Sequence, residues 1–212
     1  MTKFDEQLIG LYRKVFWIKR FHVIVRQWLC PFNEVERYVP LSGKILDLGC
    51  GYGIFSNFLA MKSARRYVVG VDKDAGRIAV AHSTVSTRKN LEFKTADLDN
   101  YVLDNNVKCA VLLDLPLEVN KGLLTRIYTA LPPEGTLIIK SISRSPGWKY
   151  YFTLLHMATV DKLLRLSFKK NSHFLKEEEF MSLLKEVGFQ AKFLNIDRGY
   201  PYSHCLYICS KS

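Results

Sequence analysis

Residues 44–60 read KILDLGCGYGIFSNFLA: an acid, Asp47, stands two places before glycines at alternate positions, Gly49, Gly51 and Gly53, with Cys50 and Tyr52 between them. Further acids follow at comparable places, Asp72 in VVGVDKD, Asp97 in KTADLDN and Asp114 in VLLDLP. A glycine turn lets the backbone take positive φ and lets a ligand approach where a Cβ would block it. A carboxylate at the end of a strand can accept two hydrogen bonds from a ribose diol. This is chemistry for holding a nucleotide. The phosphate loop Gly-x-x-x-x-Gly-Lys-Ser/Thr is absent, and the third glycine of the dinucleotide fingerprint Gly-x-Gly-x-x-Gly falls on Ile54. Each aspartate also has an ordinary alternative as a helix N-cap.

The elements that must position these residues alternate. Strands are expected at 44–48, 67–71, 91–95, 109–113 and 136–141, and helices at 54–62, 75–83 and 118–131, the last stopped by Pro132-Pro133. Runs such as CAVLL (109–113) are those of a parallel strand buried on both faces. The rhythm implies βαβ crossovers and a doubly wound α/β sheet. A helix over 176–187 ends at Gly188, and strands at 191–197 and 204–210 are joined by so short a connection that they run antiparallel.

In this setting the stretch Asp47-Leu48-Gly49-Cys50-Gly51-Tyr52-Gly53 resembles motif I of the class I S-adenosylmethionine (SAM) dependent methyltransferases, acid-x-Gly-x-Gly-x-Gly. The resemblance extends over about residues 40 to 210. It implies a Rossmann-like methyltransferase fold, a doubly wound, seven-stranded, mostly parallel sheet with a C-terminal antiparallel strand. It implies SAM as cofactor, with Asp72 on the ribose, Lys73 as a wall of the adenine pocket and Asp97 near the adenine amino group, Leu98 beside it. Asp114 falls where the family has motif IV. Asp47, Gly49, Cys50, Gly51 and Gly53 complete the implied cofactor site.

The 212 residues suit one domain, 1–212. The net charge is +11, and residues 1–30 contribute +4 and residues 142–174 contribute +5. By resemblance these are the segments that set substrate choice. Leu8, Leu11, Val15, Ile18, His22, Val25 and Leu29 form a stripe at helical spacing, so 1–30 is expected to be a basic amphipathic lid or interfacial helix. A core helix with snorkelling arginines is the other reading. Residues 142–174 are expected to be a substrate-side insertion, basic and aromatic through WKYYF and aliphatic beyond it.

Two basic, aromatic flaps fit a small or lipid-like acceptor, anionic or held at a membrane surface. Nucleic acid is the competing partner, disfavoured because Asp114-Leu115-Pro116-Leu117 lacks the Asn/Asp-Pro-Pro-Tyr/Phe signature for base amino groups. The alternatives are therefore an RNA methyltransferase, or a non-catalytic nucleotide-binding or membrane-docking protein on the same fold. Candidate bases are His156, His173 and His204, with His156 favoured by its place in the insertion and Asp114 as a second catalytic candidate. Five irregularly spaced cysteines indicate reduced thiols, and Cys205 and Cys209 lack the second ligand pair of a metal site. The expected protein is a cytoplasmic monomer or homodimer, acting at the inner membrane surface where its flaps meet lipid, and without a metal.

Overall fold

The computed structural model describes residues 2–85, 88–103, 106–115, 119–144, 147–164 and 175–211, and the side chains of all of these except 156–164. Among the described residues seven strands form one sheet: β1 (Gly43–Leu48), β2 (Arg66–Asp72), β3 (Leu91–Thr95), β4 (Val107–Leu113), β5 (Thr136–Ile142), β6 (Phe189–Asn195) and β7 (His204–Lys211). Their order is β3-β2-β1-β4-β5-β7-β6, with every pairing parallel except β5 with β7 and β6 with β7. The expected fold class is the observed one.

Helices α1 (Lys3–Gly10), α2 (Trp17–Leu29), α3 (Phe32–Glu36), α4 (Ile54–Lys62), α5 (Ala75–His82), α6 (Lys121–Ala130), α7 (Gly147–Leu164) and α8 (Glu177–Val187) cover the sheet. One core gathers Ile45, Phe55, Phe58, Val68 and Phe93 with Leu8, Tyr12 and Val23 of the N-terminal helices. The other joins Leu46, Val69, Leu112 and Ile139 to α6 and α8. Central strands sandwiched in this way have both faces dry, which is why β1 and β4 read as near-continuous apolar runs.

The N-terminal stripe is not one helix. Gly10 ends α1, residues 11–16 turn, and α2 begins afresh at Trp17. The break lets Tyr12 enter the core with no exposure, where its hydroxyl donates to the carbonyl oxygen of Tyr52 at 2.9 Å. An unbroken helix would carry that hydroxyl away from the glycine turn. The insertion is helical in its first half, as α7, and its later residues 165–174, His173 among them, lie outside the described residues.

A buried arginine ties the entry of the sheet together. Arg66, 1% exposed, donates to the carbonyl oxygens of Val39 at 2.9 Å and Pro40 at 2.7 Å and pairs with Glu36 at 2.7 Å. The guanidinium thus fixes the segment between α3 and β1, and with it the register at which β1 delivers the glycine turn.

Candidate functional site

At its carboxyl end, β1 passes into the glycine turn, where the backbone N–H groups of Gly49 and Cys50 both reach the carbonyl oxygen of Val71, at 2.7 and 3.0 Å. Gly51 has φ of +56°, and a Cβ built there meets nothing within 4 Å, so the turn presents bare backbone to open space. Gly53, with φ of +73°, is the N-cap of α4 and lies against Phe93. Asp72, at the end of β2, accepts the Gly51 N–H through Oδ2 and the Asp74 N–H through Oδ1, both at 2.9 Å. The carboxylate is 8% exposed and keeps lone pairs free for a ligand's hydroxyls.

Asp47 lies beneath the turn, 2% exposed, and accepts from the Ser56 hydroxyl at 2.5 Å. Burial pushes its carboxyl up to about 6, against the Ser56 hydrogen bond and the Arg26 charge. Cys50 is half-buried beside the turn. Lys73 and Asp97 are exposed, Asp97 closing a turn by accepting the Asp99 N–H at 3.0 Å. Leu98 is turned into the second core.

The turn opens into a cleft of about 110 Å³. His22, Val23 and Arg26 of α2 wall it, facing Gly49, Cys50, Gly51, Tyr52, Arg77, Leu113, Asp114 and Leu115. Of the residues expected from sequence, the cleft therefore brings together Gly49, Cys50, Gly51 and Asp114. His22 stands edge-on to the Tyr52 ring at 5.5 Å, and its buried Nδ1 has no partner. Burial, reinforced by Arg26 and Arg77, pushes His22 down to about 4, so the ring is neutral at pH 7.

Asp114, at the end of β4, is the one non-glycine residue with positive φ among the described residues, at 57°. Aspartate tolerates this conformation better than most side chains, and its occurrence beside a cleft is typical of functional turns. Its Oδ1 accepts from Lys140 Nζ at 2.5 Å, and its Oδ2 is 3.4 Å from Arg26 Nη2. Burial raises its carboxyl pKa, but Lys140, Arg26 and His204 together outweigh that effect and hold it below the usual carboxylate value.

His204, 2% exposed, donates from Nε2 to the Leu29 carbonyl oxygen at 2.7 Å and is pushed down to about 3 by burial and the nearby Lys140. It anchors the end of α2 and does not line the cleft. The side chain of His156 lies outside the described residues, so α7 gives it a place in the chain and no contact.

From the sequence His22 stood only as a member of the N-terminal stripe, and Arg26, Arg77 and Lys140 were given no place in the site. A signal existed for the first two: at helical spacing four apart, they share one face of an otherwise apolar inner stripe. Lys140 was legible only as a charge inside the apolar run TLIIKSI.

A sheet of this order, with the cleft at the carboxyl ends of β1 and β4 and an acid closing β2, defines a Rossmann-like fold with its cleft where such folds take a ligand. Residues 45–135 match the model of a methyltransferase domain. The chain is 26% identical over 175 residues to the ubiquinone biosynthesis O-methyltransferase of Pseudomonas savastanoi pv. phaseolicola, covering 76% of this chain and 70% of that one. It is 22% identical over 201 residues to the protein of the same name from Marinobacter nauticus, covering 84% and 82%. Among solved structures, magnesium protoporphyrin IX methyltransferase from Synechocystis PCC 6803 with bound SAH has a TM-score of 0.66 at 17% identity, over 99% of this chain and 94% of that one. Human N-acetylserotonin methyltransferase in complex with SAM has a TM-score of 0.70 at 16% identity, over 91% of this chain and 55% of that longer one. At these identities the structural likeness is one of fold. The chain thus has the fold of the SAM-dependent methyltransferases and, over residues 45–135, the sequence pattern of a methyltransferase domain.

Proposed function

We propose that the chain methylates an acidic hydroxyl on a small or lipid-like, membrane-associated acceptor. The observation that carries this reading is the wall contributed by α2, which sets a neutral imidazole and a guanidinium over the glycine turn, opposite Arg77. When bound, SAM supplies a methyl group on a sulfonium, transferred in line to the acceptor's nucleophilic atom. The bare backbone of Gly51 gives it room, and the Asp72 carboxylate is placed to accept from a ribose diol. Asp47, beneath the turn, supports that backbone through Ser56 rather than through a ligand.

The remaining groups act on the acceptor. Arg26 and Arg77 place positive charge in a half-enclosed cleft, which favours the ionised form of a phenol-like hydroxyl and lowers its pKa. His22, neutral at pH 7, adds a polar ring edge to the same wall without a competing charge. Asp114 is already neutralised by Lys140 and Arg26, so its part is to hold Arg26 in place, and a strong base is not needed for an acceptor that binds ionised. The O-methyltransferase names of the relatives agree with an oxygen acceptor.

The test is transfer from SAM labelled in its methyl group to a cell extract separated into lipid, RNA and protein fractions. Label is expected in the lipid fraction, in an oxygen-bound methyl group. Label confined to RNA would replace this acceptor with the nucleic-acid one, and no label in any fraction with intact SAM binding would favour a non-catalytic protein.

A further inference from the structure

All three tryptophans of the chain are exposed: Trp17 at 69%, Trp28 at 65% and Trp148 at 67%. They stand on the two flap helices, and each belongs to a ridge. On α2, Trp17, Phe21, Ile24 and Trp28 recur at intervals of four, three and four, which places them on one side of the helix. Phe21 is exposed and Ile24 half-buried. His22 and Arg26, which wall the cleft, fall on the opposite side. On α7, Trp148, Tyr151, Phe152 and Leu155 repeat the pattern at three, one and three, and all four are exposed. The inner side of α7 is pinned by Lys149, which pairs with Asp197 at 2.8 Å, and by buried Thr153. Each flap thus has a side anchored to the body and an opposite apolar side that water would otherwise have to cover.

The two helices meet the same corner of the sheet. The carbonyl oxygen of Leu29, at the end of α2, accepts from His204, while the Phe152 ring lies 6.2 Å from Tyr202 in the turn before it. The charge around the ridges is one-sided. Between residues 7 and 33 the sequence holds no acid and, besides Arg26 of the cleft wall, Arg13, Lys14, Lys19 and Arg20, and neither ridge has a charge within it. Rings and aliphatic side chains in an uncharged strip, with cations at the margin, match the order of a bilayer interface, acyl boundary first and anionic headgroup next. A nucleic-acid platform sets its cations among the stacking rings.

We infer that the outer faces of α2 and α7 form an interfacial seat on anionic membranes, through which the cleft is held against the lipid surface. The seat itself stands on the exposed ridges; only the statement that it delivers the acceptor rests on the function proposed above. Because the seat and the cleft wall are two sides of α2, docking places His22 and Arg26 one helix diameter from the bilayer.

The native tryptophans report the docking directly. With vesicles of phosphatidylcholine mixed with phosphatidylglycerol, the emission of the intact protein is expected to shift to the blue, and the protein to float with the vesicles. Pure phosphatidylcholine should capture less, and added salt should weaken capture by the anionic vesicles. Trp17→Ser, Phe21→Ser and Trp28→Ser together should lower the vesicle partition coefficient at least tenfold while leaving the affinity for S-adenosylhomocysteine unchanged. A triple variant that loses cofactor affinity is misfolded, and Arg13→Gln with Lys14→Gln then tests the charge margin alone by the same partition measurement. Emission already blue without lipid, together with a dimer that the triple variant dissolves, would show the ridges to be a self-association face and overturn the inference. So would capture by RNA and not by vesicles. Vesicle binding without methyl transfer to lipid leaves the seat standing and overturns the acceptor.

Discussion

Lys140 Nζ, buried at the end of β5, lies 2.5 Å from Asp114 Oδ1 at the end of β4, and the Asp114 N–H bonds the Lys140 carbonyl oxygen at 3.0 Å. The two neighbouring strands are therefore joined by both backbone and charge at the floor of the cleft, with Arg26 of α2 completing the cluster from above at 3.4 Å. Removing one member of such a pair leaves a charge in a site where water cannot replace it. Lys140→Met is expected to cost about 3 kcal/mol, a Tm lower by roughly 6–12 °C. Asp114→Asn combined with Lys140→Met should recover part of that loss, since asparagine also tolerates the positive φ at this position. Thermal unfolding of the single and double variants measures the coupling; additive losses would show that the pair does not act as one unit.

The glycines of the turn are expected to separate folding from binding. Alanine at either Gly51 or Gly53 carries the strain of positive φ, about 1 kcal/mol. At Gly53 the new Cβ would also lie 2.4 Å from Phe93 Cζ, adding overpacking of about 1–3 kcal/mol. At Gly51 it meets only the cleft. Gly51→Ala should therefore fold with a small loss of stability and bind S-adenosylhomocysteine at least tenfold more weakly, whereas Gly53→Ala should first lose about 2–4 kcal/mol of stability. Calorimetric titration beside thermal unfolding reads both effects. Full affinity in Gly51→Ala would place the cofactor away from this backbone.

Asp72 and Asp97 make a second contrast. Asp72 is 8% exposed and receives two backbone N–H groups of the turn and the loop after β2, while Asp97 is exposed and closes a turn of its own. Asp72→Asn keeps the shape and removes the charge that polarises a bound hydroxyl. Affinity for S-adenosylhomocysteine should fall by at least tenfold, about 1.4 kcal/mol. Asp97→Ala should cost less, since its carboxylate competes with water for whatever it binds. Equal losses at both positions would mean that Asp97 is enclosed when the cofactor is present.

The sheet was legible in the sequence because its physics is local. Strands buried on both faces must be apolar throughout, as in CAVLL, and a glycine turn followed by acids at strand ends leaves a fixed pattern. The wall of the cleft was not legible in the same way. Leu8 through Leu29 keep helical spacing across the turn at 11–16, so periodicity alone merges two helices that tertiary contacts separate. The pairing of Arg26 with Asp114 joins residues remote in the chain, and Lys140 becomes a partner only when β4 and β5 lie side by side. The outer ridge was visible as Trp17 and Ile24 beside arginines, but which side of α2 would face the body depended on where β1 and β4 put the cleft.

Acid should unfold the protein with a slope set by three buried groups. His204 and His22 have native pKa values pushed down to about 3 and about 4, from an unfolded value near 6.5. A depressed native pKa gives stability that is present above about pH 6.5 and is lost as the pH falls toward the native value, because the unfolded chain takes up the protons first. Asp47 acts oppositely. Its native pKa is raised to about 6 from 3.8, so its contribution is fully present below 3.8 and is lost as the pH rises through 6. Between about pH 6 and pH 4 the unfolded state therefore holds two extra histidine protons against one extra aspartate proton in the native state. Stability should fall on acidification by about 1.4 kcal/mol per pH unit, or somewhat less because His22 is only half-buried. Asp47→Asn removes the opposing proton and should steepen the slope toward about 2.7 kcal/mol per pH unit, whereas His204→Gln should flatten it toward zero. Urea midpoints across this window, compared as slopes rather than absolute stabilities, check the assignment. A slope unchanged in His204→Gln would mean that the imidazole at the end of α2 is protonated in the native state, and that the Leu29 contact is not made by a neutral ring.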